Sequence, residues 1–467
     1  MSSVRFRAVS LFSNCGAGDV GYRQAGFRFD VLAEIDARRL QVATLNHPGA
    51  AEVPGDLRKT WPSVVERYRE RAGATAPSIL AACPPCQGMS SVRAKRGLAE
   101  DPDAGSRDGR NLLVVPIANV AQALRPRVIV VENVPAFFSR QVRHPRTGDG
   151  VTAAQLLAEL LKRDYVVFPF LTDLVDYGVP QTRRRAFLTF VRRDDVAFVT
   201  LVNAARAPYP RPTHITPARR RHLRLREVLK RFGLPKLDAS SASKARGKHR
   251  RLHSVPVWTE ARYAWVAAIP SGSGGSAWDN DCCGACGSLA EDAERATCGR
   301  CAAPLPRPVF KARNGRWRLI HGFGSSSYRR MAPDLPAATI TTASGHIGSS
   351  RTIHPFENRL LSPLECAWLQ TFPRGFRWGR ALDDWGHTFV RDLIGEAVPP
   401  RFTELHGRIL VQLLSGVQPA TALKADNRRC MRGRFNFEQG YSLAFEEVER
   451  WHRHERAAAA VSSPRGR

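Results

Sequence analysis

Apolar segments of strand length recur through the first two hundred residues, each ending in a polar or glycine-rich turn. FRAVSLF, FDVLAEI, PSILAAC, RVIVVENV, YVVFPFL and RRAFLTFV are the strand candidates, and helical stretches such as LLVVPIANVAQAL and TAAQLLAELLKR lie between several of them. This alternation points to an α/β fold, a doubly wound and mostly parallel sheet. Ligands of such sheets sit beyond the carboxyl ends of the strands. The residues that end each strand are therefore the first candidates for a site.

At 467 residues the chain is long enough for two or three domains. The rhythm breaks near residue 203. From Arg206 to Arg251 fifteen Lys or Arg stand against two acids, Glu227 and Asp238. The pattern predicts a basic helix over 219–231 and a mobile loop over DASSASKARGKHRR, 238–251. A cysteine cluster and a Gly/Ser/Thr-rich section follow to about residue 350. The α/β character returns after LSPLECAWLQTFP, with GEAVPPRFTELHGRILVQLL a helix preceded by prolines. The expected organisation is a lobe over 1–202 completed by 385–416, a second lobe over 203–384 carrying an insert at 282–301, and a basic tail over 417–467, in which FEEVERWHRHERAAAA is a helix candidate.

Charge sets the partner. Lys and Arg number 71 against 42 Asp and Glu, a net charge of +29 and a pI of about 10.8. An Arg-rich genome explains Arg in place of Lys but not the excess over acids, so a polyanion is expected. The N-terminus lacks the apolar segment of a signal peptide and no run reaches transmembrane length, so no membrane partner is expected. Ten cysteines in a chain this long suit a reducing, cytoplasmic setting with thiol or metal roles.

Individual motifs add chemistry. SLFSNCGAGDVGYRQAGF, 10–27, reads as a strand, a Gly-containing turn and a helix, which lets backbone amides approach a cofactor. Two further strand regions end in carboxylates, Glu34 and Asp56, and an acid at the first of these positions suits ribose hydroxyls; each alone also reads as a helix cap or solvated turn. ILAACPPCQGMS, 79–90, stops a buried strand at two thiols around two prolines, which suits either a metal or redox CxxC or a nucleophile on a rigid elbow. Glu132 ends the apolar run of VIVVENVP, where a carboxyl is costly to bury without a purpose, although a helix cap remains an alternative. CCGACGSLAEDAERATCGRC spaces Cys283-x2-Cys286 and Cys298-x2-Cys301 as a ribbon-type structural zinc site, with Cys282 a spare or an alternative to Cys283. Four sulfurs fill the shell, so this zinc would not be catalytic; four free cysteines in a loop is the other reading.

Taken in order, these motifs resemble those of bacterial DNA (cytosine-5) methyltransferases over residues 8 to 415: LFSNCGAGDVGY, Glu34, Asp56, PPCQGMS, ENV at 132–134, QTRRR at 181–185, PAATITTASG at 336–345, RLLSPLECAWLQTFP at 359–373 and GEAVPP at 395–400. The resemblance implies S-adenosylmethionine as cofactor, with Phe12, Ser13, Asn14, Gly16, Glu34, Ile35, Asp56, Leu57, Pro85, Glu396 and Ala397 around it. It gives Cys86 the attack on cytosine carbon 6, Glu132 the contact to ring nitrogen 3 and the exocyclic amino group, and Asn133 a loop-tying role. Arg183 and Arg185, two apart on one strand face, would hold the cytosine carbonyl oxygen and support the nucleophile loop, with Arg184 pointing away. Cys83 stands where many members have glycine and reads as packing. The segment 90–111 would close on DNA, with Arg93, Lys95 and Arg96 on phosphates, and sequence would be read from roughly 203–350.

Three residues depart from the family pattern in ways that touch the cofactor: Asn14 and Ala17 replace common glycines, and Glu396 replaces the usual Asn. The implied partners are duplex DNA and a restriction endonuclease, with the chain itself a monomer. The rivals are an RNA cytosine methyltransferase, whose Cys-Phe-Thr signature is missing, and a catalytically silent DNA-binding protein on a methyltransferase shell.

Overall fold

Strand β1 (Phe6–Leu11) leads through α1 (Ala17–Ala25) to β2 (Phe27–Glu34), then α2 (Ala37–Asn46), β3 (Ala51–Pro54), α3 (Leu57–Ala72) and β4 (Ile79–Ala82). The computed structural model describes residues 6–85, 109–204, 206–216, 219–247, 251–290, 292–322, 326–349 and 351–424. After the next described residues come α4 (Val114–Leu124), β5 (Val128–Asn133), α5 (Ala153–Leu161), β6 (Tyr165–Asp173), β7 (Arg184–Arg192), α6 (Val196–Ala204) and β8 (Arg206–Pro210). Seven strands form one sheet in the order β3-β2-β1-β4-β5-β7-β6. The pairings β1–β2, β2–β3, β1–β4 and β4–β5 are parallel, because helices carry the chain back between them. The pairings β5–β7 and β6–β7 are antiparallel. The winding direction reverses between β1 and β4, the position at which doubly wound sheets open a crevice.

Sequence dictates this locally. Strands β4 and β5 are covered on both faces, so Ile79, Leu80, Ile129 and Val131 are buried without alternation. Helix α5 starts on a reciprocal capping box between Thr152 and Gln155. The six strands read from sequence are all present, and the short β3 joins them.

Contacts divide the chain into two units: Met1–Asp173 with Arg184–Pro212 and Phe402–Arg467, and Leu174–Arg183 with Thr213–Arg401. The second unit is rich in turns around a core of Trp265, Tyr328, Ile353 and Leu360. Its longer elements are α7 (Leu225–Phe232), α8 (Glu260–Ala267), the hairpin β9 (Val309–Lys311) and β10 (Trp317–Leu319), α9 (Pro363–Leu369) and α10 (Ala381–Glu396), which kinks at Gly386. The chain ends its described part in α11 (Pro400–Leu414) and β11 (Ala422–Lys424).

Several expectations change. The basic helix over 219–231 shortens to α7, while Arg219–Arg220 pairs as a strand with Ile215–Thr216. The helix starts only at Leu225 because the Leu225 and Arg226 amides are taken by the carbonyls of Leu335 and Pro333. The loop expected to be mobile is pinned over 238–247: Asp238 N donates to Lys244 O at 3.0 Å, and Ala245 is buried with Leu237 and Val255. Strand β8 pairs with β11, which places 206–212 in the first unit rather than in a lobe beginning at 203. Residues 385–401 fall in the second unit, because α10 packs on Thr342–Gly345. The tail helix candidate lies outside the described residues. Among the described residues no helix is long and apolar enough to cross a membrane.

Candidate active site and metal centre

Beyond β1 the chain turns through Phe12 (φ 56°), Asn14 (φ 48°) and Gly16 (φ 71°), three left-handed residues in five. Asparagine tolerates that region, which explains how Asn14 stands in for glycine. The turn is held by Ser13 N to Ala33 O at 3.0 Å and Gly16 N to Ser13 O at 2.8 Å. At the end of β2 the buried Glu34 carboxylate accepts from Asn14 N at 2.9 Å and Ile35 N at 3.0 Å. Gly16 leaves no room for a side chain: a Cβ would lie 2.9 Å from the His47 ring, whose Nε2 is 2.9 Å from Gly16 O. Burial holds His47 down at about 4, so the ring is neutral. Burial likewise lifts Asp19, bonded to Ser10 Oγ at 2.8 Å, to about 7. Ile35 presents an apolar side chain 68% exposed beside Glu34. Asp56 caps α3 through Arg58 N at 2.9 Å, and the Arg58 guanidinium holds its carboxyl below the ordinary range; the next residue, Leu57, is buried. A left-handed backbone turn, a carboxylate fixed by two amides and an exposed apolar side chain suit the amino-acid, ribose and adenine parts of S-adenosylmethionine.

Strand β4 ends beside β5, and three groups converge there. Glu132 Oε1 receives Arg185 Nε at 2.8 Å, while Glu132 Oε2 receives the Cys83 thiol at 2.9 Å. Asn133 Nδ2 donates to Pro84 O at 3.0 Å and its Oδ1 accepts from Val134 N at 2.8 Å, so it fastens the end of β5 to the proline elbow. Glu132 is 6% exposed, and its carboxylate is therefore a buried charge answered by a cation and a thiol. Pro85 is partly exposed at the end of this elbow. Residues 86–108 lie outside the described residues, and with them Cys86, Arg93, Lys95 and Arg96. Cys83, read from sequence as packing, instead binds the candidate catalytic carboxylate. Its position in a motif offered no signal for this; only the register of β4 against β5 reveals it.

The two outer arginines of QTRRR differ. Arg185 faces Glu132, and Arg184 is exposed as expected. Arg183 is 1% exposed within the second unit, with Nη1 on Ile340 O at 3.0 Å and Nη2 on Gly395 O at 2.9 Å and Ala397 O at 3.0 Å. Arg183 and Arg185 thus meet different partners, backbone carbonyls for the first and the Glu132 carboxylate for the second. Gln181 bridges the same region: its Nε2 reaches Leu369 O at 3.0 Å and its Oε1 accepts from Ile340 N at 2.9 Å. Gly395 lies so close to Thr341–Thr342 that a Cβ would fall 2.3 Å from Thr342 N. The following Glu396 is partly exposed and Ala397 is buried.

The cysteine cluster closes on itself. The Sγ atoms of Cys283, Cys286, Cys298 and Cys301 lie within 4.8 Å of one another, with Cys283–Cys301 and Cys286–Cys298 each at 3.6 Å. Two tight turns present them: Gly287 N returns to Cys283 O at 2.9 Å and Ala302 N to Cys298 O at 3.1 Å. A Zn–S bond of about 2.3 Å gives a tetrahedron edge of about 3.8 Å, so the four sulfurs match a tetrahedral site. Cys282 stays out, its thiol 3.7 Å from Gly287 O, and is the spare.

Residues 6–410 match the family of C-5 cytosine-specific DNA methylases. The chain belongs to that family. As a member it is a methyltransferase acting on cytosine carbon 5 in DNA. The methylase is 25% identical to the type II methyltransferase M1.HgaI of Avibacterium volantium over 405 residues, covering 85% of this chain and 95% of that protein. It is 24% identical to the type II methyltransferase M1.BsuMI of Bacillus subtilis (strain 168) over 411 residues, covering 85% and 78%. The crystal structure of a DNA modification methyltransferase encoded within an E. coli prophage shares the fold, with a TM-score of 0.51 and 20% identity over 88% of this chain and 99% of that one.

Proposed function

We propose that the methylase modifies cytosine within one short sequence of duplex DNA, as part of a restriction-modification system in the cytoplasm, by covalent catalysis from Cys86. The observation that carries this reading is the Glu132 carboxylate held between Arg185 and Cys83 at the mouth of the Pro84–Pro85 elbow. Cytosine is a poor nucleophile at carbon 5 until a thiolate adds at carbon 6. Cys86 supplies that thiolate, and the proline elbow fixes its approach. Glu132 meets ring nitrogen 3 and the amino group, where charge develops as the thiolate adds. Arg185 keeps the carboxylate oriented, and Asn133 holds the elbow against β5. Arg183 acts through the second unit's backbone instead of through the base. The base leaves the stack to reach these groups. S-adenosylmethionine, when bound by Phe12, Ser13, Asn14, Gly16, Glu34, Ile35, Asp56, Leu57 and Pro85, supplies an electrophilic methyl group. Loss of the carbon 5 proton then lets Cys86 depart.

Structural zinc belongs to the same reading, held by Cys283, Cys286, Cys298 and Cys301 and stapling a segment poor in apolar core. A partner endonuclease and a monomeric enzyme complete it. Purified protein, labelled S-adenosylmethionine and unmethylated genomic DNA test the proposal, with conversion sequencing of the product and a Cys86→Ser variant alongside. Methyl groups in one motif, absent with the variant, are the expected result. Transfer to RNA alone moves the substrate; DNA binding without transfer to either means a binding protein.

A further inference from the structure

From Arg295 to Pro333 the chain carries nine Lys or Arg and no Asp or Glu. The hairpin β9–β10 stands in the middle of this run. Its register sets Phe310 opposite Arg318 and Lys311 opposite Trp317. Side chains alternate across a strand, so Phe310, Arg316 and Arg318 share one face. That face is exposed, and Phe310 itself is 47% exposed. The tip, Arg313-Asn314-Gly315, is closed by Ala312 N to Arg316 O at 2.8 Å and Gly315 N to Ala312 O at 2.9 Å. Lys311, Arg313, Arg316 and Arg318 make no ion pair among the described residues, so their charge is available to a partner.

An isolated two-stranded hairpin is marginal in water, yet this one is anchored. At its base Val309 and Leu319 are buried. Arg307, 2% exposed, places Nε on Asn280 O at 2.7 Å and Nη1 on the carbonyls of Asp292, Ala293 and Arg295 at 2.9, 3.0 and 3.1 Å. Asn280 Nδ2 in turn bonds Trp265 O at 2.8 Å and Pro306 O at 2.6 Å. A buried arginine thus locks the hairpin to the four-cysteine segment, and a buried asparagine locks both to the Trp265 core. A cationic β-ribbon on a rigid base has the cross-section that enters a DNA major groove about 12 Å wide.

We infer that the hairpin Val309–Leu319 is a second DNA-binding arm, which grips duplex flanking the methylated site through phosphate contacts from Lys311, Arg313, Arg316 and Arg318, with Phe310 resting against the sugar-phosphate wall. The inference rests on the reading of the chain as a DNA methylase and assigns no base-reading role to the arm. Phosphate contacts position a protein without specifying sequence. Removing them weakens binding to every duplex alike and flattens its salt dependence.

The test uses full-length protein in which all four cations are changed to glutamine, with circular dichroism and zinc content as checks of folding. A second variant, Arg313→Glu with Arg316→Glu, alters only the tip. Binding is measured to a random-sequence duplex between 50 and 300 mM salt, and methylation to genomic DNA. The expected result is a loss of affinity of about 10-fold or more, a salt slope shallower by about 2 to 4, roughly one for each phosphate no longer neutralised, a raised KM for DNA, and a kcat within twofold of wild type. Unchanged affinity and slope in both folded variants, with wild type methylating DNA, overturn the arm. So does a loss confined to structured RNA. Failure of wild type itself to methylate DNA strikes the functional reading instead.

Discussion

Replacing Arg183 with methionine keeps most of the aliphatic stem and removes every donor. Its donors reach the carbonyls Ile340 O, Gly395 O and Ala397 O. Ala397 O keeps the Gln370 Nε2 bond at 3.1 Å, so two carbonyls bear the loss. A buried group left without its partner costs about 1–3 kcal/mol, which gives roughly 2–6 kcal/mol for the pair. Seven of the nine tryptophans lie between Thr213 and Arg401, so intrinsic fluorescence in urea reads the second unit. With an m-value of about 2–3 kcal/mol/M the midpoint should fall by about 0.7–3 M. Arg183→Lys, with three donors in a less suitable geometry, should recover about half of that shift. Under conditions where both variants are folded, kcat should stay within several-fold of wild type. An unchanged midpoint with a hundredfold loss of kcat would refute the reasoning and return Arg183 to the cytosine carbonyl.

Other outcomes follow from single groups. Glu132→Gln removes the charge that Arg185 and Cys83 share, so kcat should fall by about 10² or more while gel-shift binding to DNA persists; retained activity would remove Glu132 from the chemistry. Gly16→Ala meets the His47 ring and a left-handed φ, a strain of about 1–2 kcal/mol, so calorimetry should show S-adenosylmethionine binding weakened about tenfold or more. In acid, burial lifts the Glu365 carboxyl but the Arg359 guanidinium at 2.7 Å overrides this and holds it at about 2, and burial holds His354 at about 4. Both groups take up protons more readily once unfolded, His354 between about 6.5 and 4 and Glu365 between about 4.5 and 2. The urea midpoint of the second unit should therefore fall steadily below pH 6.5, and a flat profile to pH 3 would exclude this pairing. A strong chelator should release one zinc per chain, and Cys298→Ser should lower zinc content measured by mass spectrometry; full-length protein that never carries zinc would leave the cluster as free thiols.

The sheet was legible because its signals are local. Buried strands such as VIVVEN have no polar alternation, and the carboxylates that end them, Glu34 and Glu132, stand out against apolar runs. The second unit was less legible. Its elements are held by partners distant in sequence, as with the Leu225 amide on Leu335 O or Asp238 and Ala245 in a loop whose composition reads as mobile. At the candidate site, residue types were readable and their partners were not. Nothing in QTRRR separates an arginine that faces a carboxylate from one buried against backbone carbonyls, since the partners lie far away in sequence. The clustering of Cys283, Cys286, Cys298 and Cys301 was readable to the residue, because paired Cys-x2-Cys knuckles are a local pattern.

Between β6 and β7 the chain leaves the first unit for ten residues, Leu174–Arg183, and returns. Those residues carry Gln181 and Arg183, whose partners are Ile340, Leu369, Gln370, Gly395 and Ala397. A recombination event that imported another methylase's specificity as the single block 213–401 would set foreign residues against these two side chains. New specificities should therefore be inherited as two pieces travelling together, and chimaeras that swap only the longer piece should express poorly until positions 181 and 183 are matched to it.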